Sequence, residues 1–337
     1  MILLLDVDKD GVYYCLKDND LTIKEGKEHD TGLLKEKLCR INRSHEIKMV
    51  GYRVQDGGPA IGQPVMELTS LLAANIEKSP LKVFFGFCAA CFESSRHFIL
   101  CDSAFFLNMP EYVRPYAIPF EYTHEGLVRH PRNGIVHDWA LKRLATVQAR
   151  KRKKIITVFL NDGADVVALK GGRPVMTSQG FSDFDGIISQ TGCGPIDTSI
   201  VFQLFSARYS LEGIDRVLSQ ESGFKALMGK KLKFADLIVR KGPKAALARD
   251  IFSYQLIKTI GACVAVLEGL DSIVFIGDGK KELQNWAYDL LRQMEFMGLK
   301  RHKGRTNQDM LLTTADSPVE AYYFRFDKWS AMSQLLA

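Results

Sequence analysis

The 337-residue chain reads as an α/β protein built from two similar halves. Three observations predict this. A strand–turn–strand segment occurs twice, as "MILLLDVDKDGVYYCLKD" from residue 1 and as "IITVFLNDGADVVALKGG" from residue 155, each with an acid–glycine turn between apolar runs. Each is followed by alternating strand-period and helix-period patterns. A basic run, Arg150 to Lys154, stands before the second segment like a solvated boundary. Two α/β halves that each open with a hairpin imply a duplicated fold with a cleft between the halves. The first domain is placed at 1–145 and the second at 146–337, leaving open that the extreme C-terminus packs back on the first.

The elements follow in order. After the first hairpin, "EIKMVGYRV" reads as a strand, "PVMELTSLLAANIEKS" as an amphipathic helix, and "KVFFGF" and "HFILCD" as strands. In the second hairpin Ile155, Ile156, Val158 and Leu160 precede the turn and Val166, Val167 and Leu169 follow it. Asp-Gly suits a tight turn that needs positive φ. A glycine there also lets backbone N–H groups approach a phosphate; locally, both readings stand. Helices are expected at "DTSIVFQLFSARY" and "DIFSYQLIKTIGACVAVLEGL", a strand at "SIVFIGDG" and a helix through "KELQNWAYDLLRQMEFMG". The near-unbroken apolar run in "KTIGACVAVLEGL" suggests a helix buried on more than one side.

Composition excludes several classes. With 46% hydrophobic and 25% charged residues the chain is of ordinary globular type. A formal charge of +6 spread over this length is no nucleic-acid footprint. "MILLLDVD" meets an acid too early for a signal peptide, and no apolar run reaches spanning length, so no membrane association and a cytoplasmic location are expected. Seven cysteines at irregular positions suit buried free thiols in a reducing compartment. Cys88 and Cys91 have metal or redox spacing, but their small and aromatic flanks favour packed core.

Four stretches carry a family resemblance: "CDSAFFLNMPEYVRPYAIPFEY", "FLNDGADVVALKGGRPVMTSQGFSDFDGIISQTGCGPIDTSIVF", "SQESGFKALMG" and "DIFSYQLIKTIGACVAVLEGLDSIVFIGDG". In order and spacing the chain resembles acetate kinase and its butyrate and propionate kinase relatives, although it is shorter. The resemblance implies the actin/Hsp70/sugar-kinase fold: duplicated ribonuclease-H-like domains flanking a nucleotide cleft. It also implies a homodimer and phosphoryl transfer between ATP and a short carboxylate with Mg²⁺, with a nucleotide or small anion as ligand.

Carried over residue by residue, part of the family's site survives. "GYRVQDGG" retains the carboxylate-binding arginine as Arg53, with Gly57 and Gly58; "CDSAFF" retains Asp102; "RNGIVH" retains His137; the second phosphate loop retains Gly163; "GDGKKE" retains Gly277 and Gly279. The resemblance therefore assigns Arg53, Asp102 and His137 to catalysis, and Asp6, Asp162, Gly163, Gly277 and Gly279 to the cofactor. Other positions depart from it. The first phosphate loop has Asp6 for asparagine and lacks the serine run and its lysine; Asn133 and Phe159 replace histidines; Asp162 replaces an asparagine; Gly192 replaces the phosphoryl-stabilising arginine, a group typically contributing on the order of 10³-fold or more. By the resemblance Gln55, Arg132 and Asp183 turn an apolar acyl pocket polar, and Asn133 is placed with them in the substrate pocket. Glu282 is the nearest counterpart of the family's metal-associated glutamate. Asp6, Asp102 and Asp162 would place three carboxylates in one cleft, either as an altered Mg²⁺ site or as drift in unused loops. Two functions follow: a kinase-like protein with eroded catalysis that acts by binding or regulation, or a Mg²⁺-dependent phosphotransferase with a more polar substrate.

Overall fold

The computed structural model describes residues 1–8, 11–56, 61–69, 82–148, 153–182, 184–302 and 310–337. The chain forms two compact units: Met1–Leu107 with Arg132–Trp139 and Asp327–Ala337, and Asn108–Pro131 with Ala140–Phe326.

In the first unit β1 (Ile2–Asp8), β2 (Gly11–Asp18) and β3 (Leu21–Glu28) form an antiparallel meander. Helix α1 (Thr31–Ser44) follows, its first turn capped by the Asp30 carboxylate, which accepts from Leu33 N–H at 2.9 Å. Leu34, Leu38 and Ile41 on one face of α1 enter the core. Strands β4 (Met49–Val54), β5 (Val65–Glu67) and β6 (Arg96–Cys101) complete a sheet of order β3-β2-β1-β4-β6-β5, in which β1, β4 and β6 run parallel. "KVFFGF" is not a strand: it opens α2 (Lys82–Cys91). A short apolar run is ambiguous by period, and here Phe85, Cys88 and Phe92 recur at helical spacing on the buried side. The helix expected at "PVMELTSLLAANIEKS" is corrected at its start, where Val65–Glu67 form the edge strand β5, and residues 70–79 of it lie outside the described residues. Helix α3 (Gly134–Val147) starts in this unit.

The second unit repeats the plan. Its strands are β7 (Lys154–Leu160), β8 (Ala164–Lys170), β9 (Arg173–Thr177), β10 (Ser272–Gly277), β11 (Met310–Leu311) and β12 (Glu320–Arg325), in the order β11-β12-β10-β7-β8-β9. An antiparallel meander leads to three parallel strands, β7, β10 and β12, with a short antiparallel edge strand that precedes its neighbour in the chain. Strand for strand this is the topology of the first sheet, so the fold is a duplicated actin-like ATPase fold. Helix α4 (Ser199–Ser206) leaves Phe202 and Phe205 exposed. Helix α5 (Pro243–Leu267) buries Ala245, Ala248, Phe252, Leu256, Ile260, Cys263 and Leu267, a single stripe at spacings of three and four. Within the single chain "KTIGACVAVLEGL" is buried along one side, with Ala262, Ala265 and Val266 exposed. By length and composition α5 could cross a membrane, but its stripe belongs to the core of this unit. Helix α6 (Lys281–Leu290) follows β10. The chain ends in α7 (Lys328–Leu336), which belongs to the first unit and packs on β1 and β4. Residues 150–152 of the basic run and the pair Gly57-Gly58 lie outside the described residues.

Candidate functional site

The register of the first sheet assembles the site. Asp6 on β1 is the parallel partner of Arg53 on β4, and Arg53 pairs in turn with Leu100 on β6. Asp102 follows β6 directly, its N–H donating to Val54 O at 2.9 Å. Three parallel strands therefore bring Asp6, Arg53 and Asp102 together at their carboxyl ends, the edge where α/β sheets usually bind ligands.

Arg53 is fully engaged by its neighbours. Its Nε donates to Asp102 Oδ2 at 2.9 Å and an NH2 nitrogen lies 2.7 Å from the same oxygen. NH1 donates to Asp6 Oδ2 at 3.4 Å, and NH2 to Asn133 Oδ1 at 3.2 Å. The side chain keeps only 13% of its exposure, Asp6 7% and Asp102 none. The second oxygen of Asp102 accepts the Ile135 N–H at 3.0 Å, at the start of α3. Burial pushes the Asp102 carboxyl up, against Arg53 and the Ile135 N–H, which favour its ionised form. Burial acts on Asp6 in the same direction, but there Arg53 and Lys328 prevail and its pKa is held below the ordinary aspartate value. The two carboxylates hold the buried guanidinium in its charged form.

Lys328, at the start of α7, completes the cluster. Its Nζ donates to Asp6 Oδ2 at 2.7 Å and lies 4.5 Å from the centre of the Tyr13 ring and 4.4 Å from that of Trp329. Tyr13 is the register partner of Asp6 on β2. Two cations thus balance two carboxylates. Local sequence gives no sign of this, since Lys328 and Asp6 stand 322 residues apart.

The Arg132-Asn133-Gly134 segment seals the arrangement from a third side. Asn133 has φ +62°, a left-handed backbone that asparagine tolerates better than most residues. A Cβ on Gly134 would lie 2.0 Å from Asp102 O, so only glycine fits. His137, one turn into α3, is fully buried against the rings of Phe105 and Phe106, and burial lowers its pKa to about 3. It is a neutral side chain at physiological pH and supplies no positive charge. Arg132 is half-buried beside Asn133; Gln55 is exposed at the end of β4; Asp183 lies outside the described residues.

The remaining sequence candidates lie in the second unit. Asp162 is exposed at the tip of the β7–β8 hairpin. Gly163 is not at positive φ, as the turn chemistry suggested; it is required by close approach, since a Cβ would meet Ile188 O and Ser189 Cβ at 2.9 Å. Gly277 is glycine for the same reason, with Tyr323 Oη 2.3 Å from its would-be Cβ. Gly279 combines φ +82° with the Arg325 side chain against it. Gly192 donates its N–H to Ser189 Oγ at 3.0 Å, and a Cβ there would lie 2.9 Å from that oxygen and 3.2 Å from Phe184 Cα. Phe159 stands in β7 where Asp6 stands in β1, and it meets Phe326 edge-on at 5.7 Å. The carboxyl edge is therefore charged in the first sheet and aromatic in the second.

These contacts bear on the cofactors. Both oxygens of Asp102 are engaged, and Asp6 Oδ2 accepts from two cations. Among the described residues no group of three or more His, Cys, Asp or Glu side chains forms a possible metal site. Asp6 and Asp102 are thus committed to ion pairs within the first unit, while Asp162 belongs to the second.

The profile of the Acetokinase family matches residues 17–331. The acetate kinase of Clostridium beijerinckii is 31% identical over 301 residues, covering 81% of this chain and 74% of that protein. The acetate kinase of Protochlamydia amoebophila is 29% identical over 297 residues, 84% and 75% respectively. Among solved structures, Porphyromonas gingivalis acetate kinase superposes with a TM-score of 0.89 at 21% identity, over 99% of this chain and 98% of that one. Entamoeba histolytica acetate kinase gives 0.86 at the same identity and coverage.

Proposed function

Because the chain belongs to the acetokinase family, we propose that it keeps the family fold while its carboxylate kinase activity is lost or greatly reduced, and that it acts by ligand binding or regulation. One observation carries this reading: the guanidinium of Arg53 is already occupied by Asp6, Asp102 and Asn133. In-line phosphoryl transfer to a carboxylate needs free positive groups to hold two anions together. Here the anions that meet the arginine are the protein's own. ATP and Mg²⁺ are what the family implies, and two of the three carboxylates that would serve the metal, Asp6 and Asp102, are engaged in ion pairs. His137 is neutral, and Phe159 and Gly192 offer no charge where the family has histidine and arginine.

A second reading, phosphoryl transfer to a more polar substrate, draws on exposed Gln55 and half-buried Arg132 next to the cluster. One assay separates the two. Hydroxylamine trapping of acyl phosphate from ATP, Mg²⁺ and a panel of acetate, lactate and dicarboxylates is expected to give no product above background. Turnover near one per second with any of them would overturn the first reading. Loss of that turnover in Arg132→Ala would make Arg132 the replacement clamp.

The exposed apolar residues of α4 and α5, Phe202, Phe205, Leu247 and Tyr254 among them, support assembly as a homodimer.

A further inference from the structure

Outside the charged site, two half-buried thiols face each other on neighbouring helices of the first unit. Cys39 Sγ and Cys91 Sγ are 3.6 Å apart. Their approach is built by helix periodicity. On α1, Lys35, Cys39 and Asn42 share one face; on α2, Phe87 and Cys91 share another. Lys35 Nζ lies 5.3 Å from the centre of the Phe87 ring, and Asn42 Nδ2 donates to Cys91 O at 2.6 Å, so contacts on both sides hold the sulfurs in register. Leu34, Leu38, Phe85 and Cys88 fill the buried side of the same helices, leaving Cys39 and Cys91 at its rim.

We propose that Cys39 and Cys91 are a modification site, a dithiol that small-molecule disulfides of the glutathione type convert to an intramolecular Cys39–Cys91 disulfide. One cysteine thiolate attacks a sulfur of the small disulfide and expels one small thiolate. The second cysteine thiolate attacks the protein sulfur of that mixed disulfide and expels the other. Two protein thiols are oxidised, one small disulfide is reduced to two thiols, and the two protons pass from the cysteines to the released thiolates. The 3.6 Å between the sulfurs has to close to a bond of about 2 Å. The reaction is slow at neutral pH and quickens with alkalinity, because burial and the contact with Cys39 push the Cys91 thiol up to about 11. Cys88, although spaced for a Cys-x-x-Cys pair with Cys91, is buried and takes no part. The new bond ties the helix leading into β4, which bears Arg53, to the helix leading into β6, which Asp102 directly follows.

The test treats the full-length native protein with oxidised glutathione at pH 8.5 and maps non-reduced peptides by mass spectrometry. The expected result is a Cys39–Cys91 linked peptide, loss of two titratable thiols per chain, and an unfolding midpoint raised by roughly 5 °C. All three should reverse with dithiothreitol and be absent in Cys39→Ser. Stable glutathione adducts on either cysteine, a Cys88–Cys91 link, links between chains, or no change in thiol count would each overturn the proposal. The peptide map of the wild-type protein decides this even if the variant fails to fold.

Discussion

At the residue scale, the clearest consequences come from groups held in one charge state by their surroundings. His137 is buried neutral with a pKa of about 3, whereas in an unfolded chain histidine titrates near about 6.5. Its folded value is depressed, so its stabilising contribution is complete above about pH 6.5 and is lost as the pH falls toward 3. In that window the unfolded chain takes up a proton that the folded chain refuses, at about 1.4 kcal/mol per pH unit. Urea unfolding of wild type and His137→Asn at pH 6 and pH 4.5 should show a shallower pH slope in the variant; equal slopes would remove the assignment. Arg53 acts in the opposite sense, as the cation on which two buried carboxylates depend. Arg53→Met should cost roughly 3–5 kcal/mol, read as a lower urea midpoint at pH 7. A loss under 1 kcal/mol would mean that Asp6 and Asp102 do not rely on it.

At the scale of elements, the junction between the loop after β6 and the start of α3 decides the site's shape. Asn133 holds a left-handed backbone and its side-chain amide oxygen accepts from Arg53, and Gly134 leaves no Cβ where Asp102 O passes. Gly134→Ala cannot be accommodated without moving one backbone away from the other. It should destabilise the first unit by roughly 3 kcal/mol or more, in the range of severe backbone mutations, and should release Asp102 from the Ile135 N–H. Thermal unfolding measures the first effect. A Gly134→Ala protein as stable as wild type would show that α3 can start further from Asp102. In the second unit the Ser189–Gly192 turn has closed around a glycine. Gly192→Arg by itself is therefore expected to restore no acyl phosphate formation in the hydroxylamine assay, because its Cβ already crowds Ser189 Oγ and Phe184 Cα.

For the whole molecule, the duplicated sheets and the exposed stripe of α5 belong to one question. Ala245 through Leu267 bury one side of that helix, while Leu247, Tyr254 and Val266 remain uncovered on the other. Light scattering at micromolar concentration should give twice the chain mass of 37.9 kDa. Tyr254→Glu with Phe202→Glu should return it to the chain mass. A wild-type protein at the chain mass would remove the dimer.

By itself the sequence determined the class of fold. Paired hairpins at residues 2 and 155, strand-length apolar runs such as "SIVFIG" and turn glycines are local signals, because strand alternation and turn conformation depend on a few adjacent residues. Motif positions likewise singled out Arg53, Asp102 and Asn133, which the fold brings into contact. Sequence failed where the outcome depends on distant packing: "KVFFGF" became a helix because its apolar residues recur at helical spacing on the buried side, and Gly163 is glycine because of a loop 25 residues further on, not because of its own φ. Only the tertiary structure decided the electrostatics. An arginine that sequence alone presents as a substrate-binding cation is neutralised by a carboxylate on the adjacent strand, and that carboxylate is shared with Lys328 from the other end of the chain. Coulomb energy depends on distances and burial fixed by the fold, not on separation along the chain.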